Sequence, residues 1–276
     1  MRPAKALVIA TVITITITTT MGTTTITIMN TVTATAMRPA GRIVMADVSD
    51  RALFKLMTWL SPSFPVGAFA YSHGLEFAIE NGVVKDAATL KTWIEGVLSF
   101  GAGRVDAALF RAAYEAETSR DDDRLARVVE RGEVLRGSSE LALESSQQGR
   151  AFLQMVSEIC PTARLEVWQG TLAITGRAPA YCIAVAVAAA ISAVPLRAAL
   201  NAYLTAFSAN LVSAAVRLVP LGQTDGQRVI AGLEGAVLEA VEEALVRDPE
   251  DFGAAALSVD WMSMQHETQY TRLFRS

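Results

Sequence analysis

The side chains of this 276-residue chain that could do chemistry are few: two histidines (His73, His266), two cysteines (Cys160, Cys182) and the run Asp121-Asp122-Asp123. A metalloprotease helix needs histidines four apart, and His266-Glu267-Thr268-Gln269-Tyr270 fails at the fifth place. No G-x-S-x-G accompanies either histidine, and no G-x-x-x-x-G-K-[ST] cradles a phosphate. The cysteines lack C-x-x-C spacing and an adjacent histidine, which argues against zinc. They are also too few for a disulfide framework, and fit a reducing, cytoplasmic setting. The aspartate run lacks the spaced ligands and distal glutamate of a calcium loop, so it reads as a helix start. This pattern favours a binding protein over an enzyme. Arg217 sits at the end of an apolar helix just before Val219-Pro220, where the helix must stop and its dipole favours a cation.

The elements that must position these residues are helical. Leu53, Leu56, Met57 and Leu60 recur at three and four, then stop at Ser61-Pro62-Ser63-Phe64-Pro65-Val66-Gly67. Asp86 caps a helix with the face Leu90, Trp93, Ile94, Val97 and Leu98. Val105, Ala108, Leu109 and Ala112 form the next stripe. Ser138–Ile159 makes a long helix, and Gln227–Val246 another with Ile230, Leu233, Val237, Val241 and Leu245 buried. Two uncharged segments, between Arg177 and Arg197 and between Arg197 and Arg217, are each long enough to span a bilayer. Their Ala/Val content, their Asn201, Ser208, Asn210 and Ser213, and the missing aromatic belts favour two buried helices and no membrane. The expected fold is all-α, a single-domain bundle of about eight to ten helices over residues 45–276.

Residues 1–44 differ in kind. Ala6 to Met37 carries no charge, and Thr11–Ala36 is a low-complexity run of threonine with β-branched alternation. The preferred reading is a mis-assigned translation start, with Met45 the working beginning. A disordered or targeting tail and a membrane anchor are the alternatives. As a strand the segment has no partner pattern elsewhere in the chain. The head holds Arg2, Lys5, Arg38 and Arg42 and no acid, so the net charge of −4 becomes −8 for the remainder. That acidic body argues against nucleic acid as a partner.

Three stretches are too specific for generic helix: Leu60–Glu76 (LSPSFPVGAFAYSHGLE), Ala206–Arg228 (AFSANLVSAAVRLVPLGQTDGQR) and Met262–Ser276 (MSMQHETQYTRLFRS). In this order and spacing, with Glu140–Arg150 (ELALESSQQGR), they resemble the urease accessory protein F family over about residues 50–276. Ala68 stands where that family usually has a second glycine, and Gln265 where a basic residue often precedes His-Glu-Thr.

The resemblance implies a non-enzymatic, cytoplasmic, helical homodimer. It implies partners too: a UreD/UreH-type accessory protein, the GTPase UreG and apo-urease. No tightly bound cofactor is implied, and nickel passes in transit. On this reading the tail (His266, Glu267, Thr268, Gln269, Tyr270, Arg272, Leu273, Phe274, Arg275) orders against the UreD/UreH-type partner. The plain alternative is a C-terminal helix docking on its own core. Arg217, Gln223, Thr224, Asp225 and Gln227 would contact the GTPase; for Arg217 the helix dipole suffices as an alternative. Phe64, Pro65, Gly67, Tyr71, Ser72, His73, Gly74 and Glu76 would line the dimer interface or a tunnel, or simply fix a turn. His73 as a nickel contact competes with a hydrogen-bonded structural role. Glu76, Glu140, Glu144 and Gln148 would make a polar face or a solvated one.

Overall fold

The structure, a computed structural model, describes residues 10–20, 23–33 and 48–276. The chain divides into two units, Met1–Asp47 and Val48–Ser276. In the first, β1 (Ala10–Thr20) and β2 (Thr23–Thr33) pair antiparallel, with Ala10 opposite Thr33, Ile15 opposite Ile28 and Thr20 opposite Thr23. Alternating β-branched residues thus form strands, and the segment supplies its own partner. The readings of this head as a disordered tail or a mis-assigned start bear also on residues 1–9 and 34–47, which lie outside the described residues.

The second unit is all-α. Its helices are α1 (Asp50–Trp59), α2 (Leu75–Glu80), α3 (Ala87–Phe100), α4 (Ala102–Ser119), α5 (Asp122–Val134) and α6 (Ser139–Ile159). There follow α7 (Ala163–Thr175), α8 (Tyr181–Ile191), α9 (Leu196–Leu218), α10 (Gln223–Gly232), α11 (Glu234–Val246) and α12 (Leu257–His266). Single residues separate α3 from α4 (Gly101) and α10 from α11 (Leu233). Side chains set several of the starts. Asp86 accepts from Thr89 N at 2.8 Å in a capping box, Asp121 from Arg124 N at 2.8 Å, and Ser138 from Leu141 N at 3.2 Å. The aspartate run is therefore a helix start.

Helix α8 is the axis of the core. Cys182 to Ala189 are all buried, wrapped by α4, α6 and α9. Small residues permit this approach: a Cβ on Gly149 of α6 would lie 2.0 Å from the Pro179 carbonyl oxygen. Helix α9 is long and apolar enough to cross a membrane, and half of its most apolar stretch is buried in the bundle. An ionic cluster sits inside. Arg136 Nη1 donates to Asp106 Oδ1 at 2.7 Å, and Tyr203 Oη to Asp106 Oδ2 at 2.5 Å. Burial pushes the Tyr203 hydroxyl and the Cys182 thiol well up. Burial alone would lower the Arg136 guanidinium, but the Asp106 carboxylate outweighs it and the net shift is upward.

Two expectations need correction. The stripe on α1 is rotated: Ala52, Leu56 and Trp59 are buried, whereas Leu53 and Met57 are exposed. The expected single helix over 227–246 is two, starting earlier at Gln223 and broken at Leu233. Gly232 and Gly235 flank that break and weaken the helix there.

Candidate functional site: the docked C-terminal segment

The chain reverses sharply ahead of α2. His73 (φ 59°) and Gly74 (φ 75°) are consecutive left-handed residues. Gly74 is needed twice over, since a Cβ there would also lie 2.9 Å from Ser263 N on α12. The reversal aims Ser72 and Glu76 at the segment after α12, while α6 presents Glu140 and Glu144, one turn apart, to the same segment.

Residues 267–276 fold back over this end of the bundle, and three carboxylates hold them: Glu76 and Glu144 are buried, and Glu140 is partly buried. Glu76 accepts from Leu273 N (2.7 Å) through one oxygen and from Phe274 N (2.9 Å) through the other, which also lies 3.1 Å from His266 Nε2. Glu140 accepts from Arg272 at 2.7 Å through one oxygen and lies 2.6 Å from His266 Nδ1 through the other. Glu144 accepts from the Ser276 hydroxyl at 2.7 Å and from Gln148 at 3.1 Å. Backbone pairing completes the strap: Arg275 N donates to Ala70 O and Ser72 N to Ser276 O, both at 2.8 Å. Ser139 N and Oγ donate to Glu267 Oε1 at 2.9 and 2.7 Å. The Ser139 hydroxyl bond, opposed only by slight desolvation, holds the Glu267 carboxyl below its ordinary range.

The tail residues divide by face. His266, Phe274 and Ser276 are buried, whereas Tyr270 is fully exposed and Leu273 is 65% exposed. Trp261 and Met264 of α12 are exposed as well. Thr268 bonds within its own turn, Gln269 reaches Glu80, and the Arg275 side chain is exposed.

Arg217 meets this segment rather than open solvent alone. Its guanidinium lies 4.3 Å from the centre of the Phe274 ring and donates to Phe69 O at 2.8 Å. Partial burial lowers its pKa. Gln223, Thr224 and Gln227 are exposed at the start of α10, and Asp225 is paired with Arg228.

The loop residues separate. Phe64 and His73, with Val66 and Phe69, line a cavity of about 640 Å³ against α1, α6 and α9. Tyr71, Ser72 and Glu76 belong instead to the α6 and tail contacts; Tyr71 Oη donates to Gln147 at 2.5 Å. Pro65 and Gly67 shape the turn, Gly67 at φ 75°. His73 is buried, packs edge-on against Phe207 and lies 3.5 Å from Glu144, with no hydrogen bond to either ring nitrogen. Among the described residues no group of three or more His, Cys, Asp or Glu is placed to hold a metal. Ser276 and Ser263 are site residues that sequence reasoning missed, and neither serine carries a signal of its own.

These features define a class: a protein whose all-helical unit folds its own C-terminal segment over one end of the bundle and leaves aromatic side chains exposed there. Within that class the chain belongs to the urease accessory protein UreF family, whose pattern matches residues 84–234. It is 50% identical to a protein named urease accessory protein UreF from Rhodopseudomonas palustris (strain BisA53), over 82% of this chain and 93% of that one. A protein of the same name from Granulibacter bethesdensis is 44% identical, over 84% and 97%. Another from Bradyrhizobium diazoefficiens is 43% identical, over 88% and 99%.

Proposed function

We propose that the chain acts in urease maturation as a scaffold with no catalytic step of its own, working in the cytoplasm as a homodimer. It joins a UreD/UreH-type accessory protein to the GTPase UreG for delivery of nickel, the cargo, to apo-urease. The observation that carries this reading is the exposure of Tyr270 and Leu273 on a segment held by three carboxylates, with Trp261 and Met264 exposed on the helix α12 that precedes it. Exposed aromatic residues on a rigid support are what protein partners use as anchors. The test is co-purification of the UreD/UreH-type protein with Tyr270→Asp/Leu273→Asp, and with the chain lacking Gln265–Ser276. Both are expected to lose it, and retention by both refutes the assignment.

Gln223, Thr224 and Gln227, exposed beside Arg217, form the GTPase-facing surface. GTP turnover by UreG with Arg217→Ala tests this, and an unchanged rate sinks it. The exposed Leu53, Phe54, Met57 and Phe69 beside the cavity suit a face covered in the homodimer. His73, buried at the cavity without hydrogen-bond partners, is the side chain best suited to touch nickel in passage. Equal nickel binding by His73→Ala in calorimetry removes that role.

A further inference from the structure

The geometry points to a proton-operated latch: docking of residues 267–276 and uptake of one proton at His266 are a single event. Nδ1 lies 2.6 Å from Glu140 Oε2 and Nε2 lies 3.1 Å from Glu76 Oε2. A neutral imidazole carries one N–H. With a neutral ring, one of these contacts would set a nitrogen lone pair against a carboxylate oxygen in a fully buried place. Glu76 already receives Leu273 N and Phe274 N, and the Arg272 guanidinium on the other oxygen of Glu140 favours that carboxyl in its ionised form, which leaves the proton to the ring. The proton therefore sits on the ring, and the docked state is the imidazolium.

The charged groups around the ring support this placement. Helix α2 contributes Glu76, and α6 contributes Glu140 with Glu144 a turn beyond. The strap contributes Arg272, which reaches only Glu140, while His73 stands 3.5 Å from Glu144. Asp260 and Glu267 on and beside α12 are both acidic. Without the ring charge, Glu76 would be a buried carboxylate with no cation, a costly arrangement. The sign follows: the docked state binds the extra proton, so docking weakens as pH rises. One linked proton means a tenfold fall in the docking constant per pH unit above the transition. The latch regulates the partner surface proposed above and rests on that reading only for its consequence.

The test is a pH titration of the untagged, ¹⁵N-labelled full chain by long-range ¹H–¹⁵N spectra of its two histidines, with His73→Gln used for assignment. Both His266 nitrogens are expected to be protonated wherever the Leu273 and Phe274 amides are protected from exchange, and the two signals to vanish with one midpoint. Glu140→Gln is expected to move that midpoint to lower pH. A neutral His266 ring beneath a protected tail, or ring deprotonation that leaves both amides protected, overturns the latch. Should Glu140→Gln fail to fold, the wild-type titration decides alone. A UreD/UreH-type protein that ignores a tail shown to titrate in this way counts against the partner reading and not the latch.

Discussion

Glu76→Gln is the sharpest perturbation of the docked tail. The side chain is buried and accepts three hydrogen bonds, from Leu273 N at 2.7 Å, Phe274 N at 2.9 Å and His266 at 3.1 Å. Glutamine has the same shape but a single acceptor oxygen. Its best placement sets that oxygen where Phe274 N and His266 converge, leaving the amide NH₂ facing Leu273 N–H. One charge-assisted bond is then lost, at about 1.5–3 kcal/mol, before any donor–donor repulsion is added. That lowers the docking equilibrium by roughly 10- to 150-fold. The core around α8 does not touch this carboxylate, so the global unfolding midpoint should hardly move while the tail loosens. Hydrogen exchange at Leu273 and Phe274, referenced to amides in α8, reads both at once. Protection of these two amides within threefold of the wild type would show that Glu76 does not hold the strap.

Gly149→Ala forces a Cβ to within 2.0 Å of the Pro179 carbonyl, so α6 must shift away from the entry to α8. A urea titration should show a loss of about 3 kcal/mol or more, at the upper end of overpacking effects. Arg136→Met leaves Asp106 buried without its cation, and about 3–5 kcal/mol of stability should go with it, read by the same titration. Glu267 titrates below its ordinary range when folded, so its contribution exists above the unfolded value and is lost as pH falls through the folded one. Acid exposure should therefore loosen the contact between Glu267 and Ser139 below about pH 4, and Glu267→Gln should remove that dependence, as followed by the Ser139 amide shift.

Periodicity exposes an element when the side chains it needs lie within the element. The face Leu90, Trp93, Ile94, Val97 and Leu98 is buried as expected, and so are Leu233, Val237 and Val241. The break at Leu233 escapes detection because that residue continues the apolar stripe, and the flanking glycines weaken a helix without announcing its end. The face of α1 misleads because Leu53 and Met57 are apolar yet line a cavity instead of the core. The tail motif and the Glu76, Glu140 and Glu144 set are visible as unusual residues, but nothing local joins them. His266 and Glu76 stand 190 positions apart, and only the reversal at His73-Gly74 and the packing of α12 bring them to 3.1 Å. The inward turn of Phe274 under Arg217 is likewise a product of the assembled bundle.

The same separation has a consequence in time. During synthesis Glu76 is made 190 residues before His266. At about 5–20 residues per second this is an interval of roughly 10–40 s. Throughout it the carboxylate has neither its histidine nor the strap amides, and Glu140 and Glu144 wait in the same way for Arg272 and Ser276. Three carboxylates left without these partners favour water at that end of the bundle. The bundle end therefore closes last, when residues 266–276 arrive, and a chain cut short before them is left with an acidic, wet gap where the whole chain shows Tyr270 and Leu273.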